Sequence, residues 1–486
     1  MLGCGFLAGC SSIPQRELEN AVKYQRLKRN EIHNVAPILS EYQDLASRAW
    51  KNRERGGSEE YVSILELGDD ALLARIHLIR SAVQSIDIQT YIWKDDVIGR
   101  FVFDELVKAA ERGVLVRLLC DAMNMPGDPH QMARMAKAHR NLEIVLYKPL
   151  ADVAEEGPIG FWQGLIFKTK RMNRRMHNKL MLVDGRIGIA GGRNYEDRYF
   201  DRNTAFLFRD RDVLVAGPSV MDMVDSFELF WQDSEAVFIT QLKDVQAEFD
   251  TLRNASEPFL NPENAWMFEE IDELANGYSL SSVRKGLRIF DADSVQFIYD
   301  TPRKFSGDKE GNQFDEWFEY LIDRSQERLV YQTPYLIYSR DVRRGLKEKR
   351  KQYPNYRVVA SSNGLASADH VHVYALSFKH RKELYKKTGI DIYESRPFPA
   401  DQDDYVYNLD GLVDLAIQQA GISNRNDIAE IDRAGPKLCI HAKCFVLDGK
   451  VALIGSHNFD PRSAKLNTEC GVFIKDVEVA QELERL

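Results

Sequence analysis

Two stretches of this 486-residue chain carry the same residues in the same register. Residues 177–196 read HNKLMLVDGRIGIAGGRNYE, and residues 441–460 read HAKCFVLDGKVALIGSHNFD. His177 and His441 are 264 positions apart, and so are Lys179 and Lys443, Asp184 and Asp448, Gly191 and Gly455, and Asn194 and Asn458. Five chemically special positions in one ungapped register mark an internal duplication. Each copy offers an imidazole, an ammonium, a neutral amide, and small residues that let backbone N–H groups approach a ligand. Two lysines and two asparagines around two histidines suit a phosphate ester. Lysine supplies point charge and asparagine neutral donors, both for oxygens that gain charge as phosphorus becomes pentacoordinate. One histidine, neutral, attacks phosphorus to give a phospho-histidine. The other, protonated, donates to the leaving alkoxide and then activates the incoming hydroxyl. Neither step calls for a cofactor or metal, and no Asp/Glu cluster has Mg²⁺-like or Zn²⁺-like spacing.

The elements that must position these groups follow from hydropathy. Met176 to Val183 and Cys439 to Leu447 read as central strands, so each His-x-Lys pair, two residues apart, faces one way. Asp184 lies an odd number of residues from His177 and falls in an Asp-Gly pair, as Asp448 does in the second copy. That pair signals a hairpin, so Asp184 and Asp448 are assigned to turn formation and local hydrogen bonding. The returning strands end in Gly191-Gly192 and Gly455-Ser456. Upstream, Ala71–Ile79 has helical spacing, Ser85–Tyr91 alternates like a strand, Gly99–Arg112 is an amphipathic helix closed by Gly113, and Val114–Leu119 is a buried strand. The order returns with a helix over Asn312–Ser325, a strand over Arg328–Thr333, a helix over Ser339–Lys351 and a strand over Tyr356–Ala360. Gln89-Thr90-Tyr91-Ile92 is echoed by Gln332-Thr333-Pro334-Tyr335. The expected fold is therefore α/β: two similar halves, each a mixed β-sheet flanked by helices, packed about a pseudo-two-fold axis with the active site between them. Residues 60–255 form the first half and 285–486 the second. Residues 1–59 are read as an N-terminal signal and polar tether, and Asn254 to Lys285 as an irregular acidic link.

The paired motif is the H-x-K-x4-D signature, and from about Leu65 onward the chain resembles the phospholipase D superfamily. Asp460-Pro461-Arg462-Ser463 and Asn467-Thr468-Glu469, with Gly191-Gly192-Arg193-Asn194 and Phe208 to Val213 in the first copy, are similar to its bacterial cardiolipin synthase branch. The resemblance implies phosphatidyl transfer, with cardiolipin made from phosphatidylglycerol or phosphatidylethanolamine. Hydrolysis to phosphatidic acid and cleavage of nucleic acid are the alternatives within the superfamily. It further implies that His177 is the nucleophile and His441 the acid/base, although symmetry allows the reverse. The acidic residue after each motif would steady that motif's own histidine, which gives the role to Glu469 and to Asp212, with Ser456 among the supporting residues. His457 departs from the small or polar residue usual beside Asn458 and is read as lining the pocket. The first copy runs on through a helix to Phe230-Trp231, so the second, which stops at Leu486, is read as short of its last turns.

Charge and composition narrow the partners. With 65 basic and 74 acidic residues the net charge is -9, unlike a dedicated nucleic-acid binder. No run of about 20 apolar residues exists to span a bilayer. Leu7-Ala8-Gly9-Cys10, followed by Ser11 and Ser12, reads as a lipobox. It predicts a bacterial envelope protein acylated at Cys10, membrane-associated and facing the periplasm. Phe161 to Phe167, with Trp162, runs into Lys168, Lys170, Arg171, Arg174 and Arg175, a combination suited to docking on anionic lipid near the active-site mouth. The expected partners are phospholipid substrates and a membrane surface, with no nucleic acid, and no protein partner can be named. Cys120, Cys439, Cys444 and Cys470 fit no zinc pattern and are read as small buried hydrophobes, with a Cys439–Cys444 disulfide as the alternative in an oxidising compartment. His380-Arg381-Lys382 lacks the following Asp-Gly and reads as a solvated helix face. His370 and His372 follow a strand end, as pocket lining or ordinary loop. His33, His77, His130 and His139 are read as structural or exposed.

Overall fold

The computed structural model describes residues 36–155, 169–253, 257–419 and 435–486. The first half and the link after it supply ten strands: β1 (Glu60–Leu65), β2 (Ser85–Thr90), β3 (Leu115–Asp121), β4 (Leu142–Tyr147), β5 (Leu180–Val183), β6 (Ile187–Gly191), β7 (Phe206–Arg209), β8 (Asp212–Ala216), β9 (Ala236–Phe238) and β10 (Phe290–Ala292). The rest are β11 (Ser294–Tyr299), β12 (Arg328–Gln332), β13 (Arg357–Asn363), β14 (Ile390–Ser395), β15 (Lys437–Ile440), β16 (Cys444–Leu447), β17 (Val451–Gly455) and β18 (Cys470–Lys475). One sheet runs β10-β1-β8-β6-β5-β2-β3-β4-β9 and the other β11-β18-β17-β16-β12-β13-β14. Removing β9 and β10 leaves the same order of strands in both, which is the duplication in three dimensions. In each sheet the βαβ part is parallel (β2–β3–β4 and β12–β13–β14), and the hairpin part is antiparallel. The central strands of the first sheet are buried along their whole length, as expected when helices cover both faces. Leu182, Val213 and Phe227 of the first half share one apolar cluster with Val446, Ala452 and Ile474 of the second, so the halves are joined through their cores.

The two Asp-Gly pairs make the predicted turns. Asp184 and Asp448 have φ of 53° and 52°, followed by Gly185 and Gly449 at 62° and 64°. Positive φ at both central residues is the hairpin geometry that matches strand twist. The carboxylates reach across to the next strand of the sheet. Asp184 accepts from the backbone N–H groups of Val83, Gln84 and Ser85, at 2.6 Å for Gln84 and 3.0 Å for Ser85. Asp448 accepts from Gln326, Glu327 and Arg328 at 2.8–2.9 Å. Each aspartate thus locks its hairpin to the start of β2 or β12. Asp448→Ala would remove the acceptor of three backbone N–H groups and leave at positive φ a residue without the aspartate's hydrogen bonds. A loss of about 3 kcal/mol is expected, read as a lower midpoint in chemical denaturation; an unchanged midpoint would contradict this role.

The structure corrects several expectations. The strands do not run through the histidines: β5 begins at Leu180 and β16 at Cys444. In both copies the chain leaves its own sheet at the His-x-Lys segment to pair with the other half. Met176 forms a parallel bridge with Thr468, and β15 pairs in parallel with β7 so that Ile440 faces Arg209. His177 N–H donates to the Thr468 carbonyl at 3.0 Å, and His441 N–H to the Arg209 carbonyl at 2.7 Å. The supposed tether is docked from its helix Glu41–Glu54 onward, because Tyr42, Ala46 and Ala49 fall on one helical stripe and are buried. The acidic link is not irregular throughout. It forms the short helices Pro262–Phe268 and Glu269–Leu274, buries Phe259, Phe268, Ile271 and Leu280 in the first half, and returns through β10 to the first sheet, beyond the expected boundary at 285. Cys120, Cys439, Cys444 and Cys470 are free and buried. Among the described residues no helix is long and apolar enough to cross a membrane. Cys10, Trp162 and Lys168 lie outside the described residues, as does the side chain of Lys170.

Candidate active site

Where the two halves cross, each histidine meets a carboxylate from the opposite half. His177 Nδ1 is 2.8 Å from Glu469 Oε2, and His441 Nδ1 is 2.5 Å from Asp210 Oδ2. The pseudo-two-fold axis accounts for both contacts, since Glu469 directly follows Thr468 and Asp210 directly follows Arg209, the residues that pair beside the histidines. Two expectations change. Glu469 serves the other copy's histidine, not its own. Asp212 reaches neither histidine: it opens β8 and accepts from Arg75 Nη2 at 2.7 Å, with Arg193 at 3.4 Å. Asp210, in the break between β7 and β8, occupies the place expected for it.

The lysines fold back onto their own histidines. Lys179 Nζ donates to the His177 carbonyl at 2.8 Å. Lys443 Nζ donates to the His441 carbonyl and lies 2.7 Å from Nδ1 and 3.2 Å from Nε2 of the same ring. All four residues are buried. Ser456 Oγ donates to Glu469 Oε2 at 2.6 Å and accepts from Cys470 N–H at 3.0 Å, so it fixes the carboxylate that faces His177. Its counterpart in the first copy is Gly192, where a Cβ would lie 2.1 Å from Asp210 Oδ1; the carboxylate fills the space that a side chain would need. Asn194 is committed to the scaffold. Its Oδ1 accepts from Ile92 N–H at 3.1 Å, and its Nδ2 donates to the Tyr199 hydroxyl at 2.9 Å. Asn458 uses its backbone, with its carbonyl accepting from Thr333 Oγ1 at 2.6 Å, while its Oδ1 is buried without a hydrogen bond.

Burial and charge set the protonation states. Burial alone would raise the Glu469 carboxyl, but His177, His457 and Lys179 outweigh it and hold it down at about 2. Asp210 is likewise held at about 2 against burial by Lys443, His441 and Arg193. Burial pushes His177 down to about 4; Lys179 and Lys443 add to that, and Glu469 opposes it. The effect of Lys443 on His177 couples the two halves electrically. His441 moves in the same direction, through burial and Lys443. Burial lowers Lys179 to about 7, with Lys443 adding. At neutral pH both imidazoles are therefore neutral and both carboxylates ionised. At His177 the Nδ1–H is donated to Glu469 and Nε2 keeps its lone pair, whereas at His441 the Lys443 ammonium also lies against both ring nitrogens.

Aromatic walls complete the site. Tyr91 stands edge-on to His177 at 4.9 Å, and Tyr199 edge-on to His441 at 5.2 Å, with Phe208 4.8 Å from the same ring. None of these was legible as a site residue, because an aromatic in an apolar run looks like core. Asn178 was also missed: Thr468 Oγ1 donates to its Oδ1 at 2.6 Å, tying the first crossing segment to the second half. His457 does not line the pocket. It is stacked on Phe314 at 4.8 Å, 3.1 Å from Asp315, which outweighs burial and raises its pKa. Of the expected docking residues, Arg171 is tied internally to Glu235 and to the Pro149 carbonyl, and the neighbouring Arg175 is buried against Asp121. His370 lines a cavity with Tyr335, Asn363 and Arg381, whereas His372 is exposed on the helix Val371–Glu383.

The family model described as cardiolipin synthase, PLD-like domain, matches residues 75–231 and 319–486. The chain belongs to that family. The two matched stretches bracket the two crossing segments, so the PLD-like domain is the unit that the sheets repeat. The chain is similar to cardiolipin synthase C of Escherichia coli (strain K12), with 30% identity over 423 residues, 87% of this chain and 82% of the relative. It is also similar to the cardiolipin synthase of Oceanobacillus iheyensis, with 25% identity over 460 residues, 94% of this chain and 74% of that one. In three dimensions it resembles the crystal structure of phosphatidylserine synthase from Haemophilus influenzae, with a TM-score of 0.53 and 15% identity, over 90% of this chain and 89% of that one. That likeness is one of fold.

Proposed function

We propose that the protein is a phosphatidyltransferase that makes cardiolipin through a covalent histidine intermediate. The observation that carries this reading is the crossed pair: two imidazoles, each held by a buried carboxylate from the other half. Cardiolipin synthases among the relatives support the choice of lipid. In the first step His177 Nε2 attacks the phosphorus of a phosphatidylglycerol. A nitrogen–phosphorus bond forms and the bond to the head-group oxygen breaks; His441, which takes up a proton as the phosphodiester anion enters and shares its Nδ1–H with Asp210, gives that oxygen the proton. In the second step a hydroxyl of another phosphatidylglycerol loses its proton to His441 and attacks phosphorus, releasing His177 and cardiolipin. Phosphatidylethanolamine as donor would release ethanolamine instead. Lys179 and Lys443 neutralise the phosphoryl oxygens in both steps. Glu469 and Asp210 orient the rings and stabilise the positive charge that each ring carries in turn.

The deciding assay is lipid product analysis by mass spectrometry on vesicles of phosphatidylglycerol and phosphatidylethanolamine without added metal. Cardiolipin supports transfer. Phosphatidic acid alone would make the protein a hydrolase, and no turnover would reopen cleavage of nucleic acid.

The pH profile of kcat/KM has signs that can be worked out. His177 must be neutral to attack, so activity rises with pH as the free enzyme loses that proton near 4. His441 must carry a proton to act as the acid, and burial and Lys443 lower its pKa, so activity falls as pH rises past that lowered value and falls further as Lys179 loses its charge near 7. A plateau extending past pH 9 would contradict a charged Lys179 in the reacting enzyme. The carboxylates act on stability: their folded pKa values are depressed, so their contribution is present above the unfolded values and lost as pH falls toward about 2. A bound site should therefore come apart under acid, not alkali.

A further inference from the structure

Each histidine segment leaves its own sheet to pair with the other half, so the point of departure must be held. Met176 and Ile440, one residue before each histidine, stand at that point. Their backbone N–H groups turn back to their own halves. Met176 N–H donates to Asp121 Oδ2 at 3.1 Å, and Ile440 N–H to Asn363 Oδ1 at 2.8 Å. The next N–H along, that of His177 or His441, goes to the carbonyl of Thr468 or Arg209 in the other half. Each histidine is thus held by two consecutive backbone hydrogen bonds, one to each half.

Asp121 and Asn363 are counterparts. Gln89 pairs with Leu180 and Leu119, and Gln332 with Cys444 and Ser361; Leu180 and Cys444 each stand three residues after a histidine. Leu119 therefore answers to Ser361. Two residues on, within the same strands, Asp121 answers to Asn363. Each is the last residue of its strand, β3 or β13, and each is buried.

The two halves do the same task with different chemistry. Asp121 is a carboxylate matched by the guanidinium of Arg175, whose Nε and Nη2 lie 2.9 and 2.6 Å from its oxygens. Arg175 stands two residues before His177. Two residues before His441 stands Cys439, a buried free thiol. There the acceptor is a neutral amide, and its Nδ2 also donates to the Ile440 carbonyl at 2.7 Å. A buried carboxylate beside a thiol would lack a counter-charge, and a buried guanidinium beside an amide would lack one too. Acceptor and neighbour therefore differ together between the halves. What both halves share is an oxygen that accepts the N–H just before the histidine.

We propose that Asp121 and Asn363 are positioning residues, Asp121 for His177 and Asn363 for His441, each holding its imidazole against the carboxylate of the opposite half. The proposal rests on the phosphatidyl-transfer reading above and deepens it. Neither side chain need touch lipid. Each acts through the departing backbone, and a displacement of the ring by about 1 Å costs on the order of a hundredfold in turnover.

The test uses the full chain with isotopically labelled histidine. The Nδ1–H protons that face Glu469 and Asp210 are read far downfield by proton NMR without lipid, and His177→Ala and His441→Ala assign them. Asn363→Leu, which strands no charge, is expected to move the His441 signal and leave the His177 signal in place. Asp121→Leu should do the converse. Each should lower kcat for the lipid product by roughly a hundredfold with KM little changed. Asp121→Asn combined with Arg175→Cys gives the first half the pair that the second half uses. It should regain at least about tenfold of the kcat lost in Asp121→Leu, since an amide oxygen again accepts from Met176. If Asp121→Leu does not fold, Asn363→Leu alone decides. Both signals moving together in one variant, neither moving, or kcat falling only in step with the folded fraction would overturn the proposal. Because the signals are read without substrate, a failed positioning role is told apart from a protein that transfers no phosphatidyl group.

Discussion

Replacing His177 with alanine is expected to lower cardiolipin formation by at least about 10⁴-fold, since the only covalent carrier is lost and both steps stop. The backbone N–H of His177 keeps its inter-half bond to Thr468 in the variant, while Glu469 loses its ring partner and retains Ser456, so some loss of stability accompanies the loss of activity. His441→Ala should cost a similar factor, and the double variant little more than either alone, as groups that act as a unit are not additive. The measurement is initial-rate cardiolipin production by mass spectrometry alongside a denaturation curve. A single variant retaining a tenth of the activity would show that the histidine it lacks is not part of the chemistry.

The second large effect comes from the carboxylates. Glu469→Gln keeps the shape but loses the charge that stabilises imidazolium at His177, and Asp210→Asn does the same at His441. Each is expected to lower kcat by roughly 10³-fold, with a much smaller change in KM, since neither residue need touch the lipid. Asp212→Asn distinguishes the crossed assignment from the one that the sequence suggests. It should weaken the ion pair with Arg75, lower the denaturation midpoint and leave kcat within about tenfold. If Asp212→Asn lost as much kcat as Asp210→Asn with stability unchanged, the crossed pairing would be wrong.

What the sequence made legible was the part governed by local rules. The repeat, the hairpins at Asp184 and Asp448, the βαβ order and the His-x-Lys pairs all follow from spacing, turn chemistry and hydropathy. The crossing did not. Met176 to Val183 reads as one strand because it alternates and then runs apolar, and only the partner half decides that the strand begins at Leu180. In Asp210-Arg211-Asp212 the choice of the working carboxylate depends on which residue follows the inter-half pair Ile440–Arg209, a tertiary fact. Glu469 could be picked out, but not the histidine it faces. Asn194 looked like a ligand donor, yet its amide is consumed by Ile92 and Tyr199, an assignment that no spacing reveals. The acidic link hid its buried phenylalanines among charged residues at no regular period.

The most direct test of covalent transfer through a composite site is to trap the intermediate. Wild type and His177→Ala would be mixed with phosphatidylglycerol vesicles, quenched in alkali to preserve a nitrogen–phosphorus bond, digested and mapped by mass spectrometry. A phosphatidyl adduct on the peptide containing His177, absent from the variant, is the predicted result. An adduct on His441 instead, or cardiolipin formed by an enzyme that never carries an adduct, would contradict it.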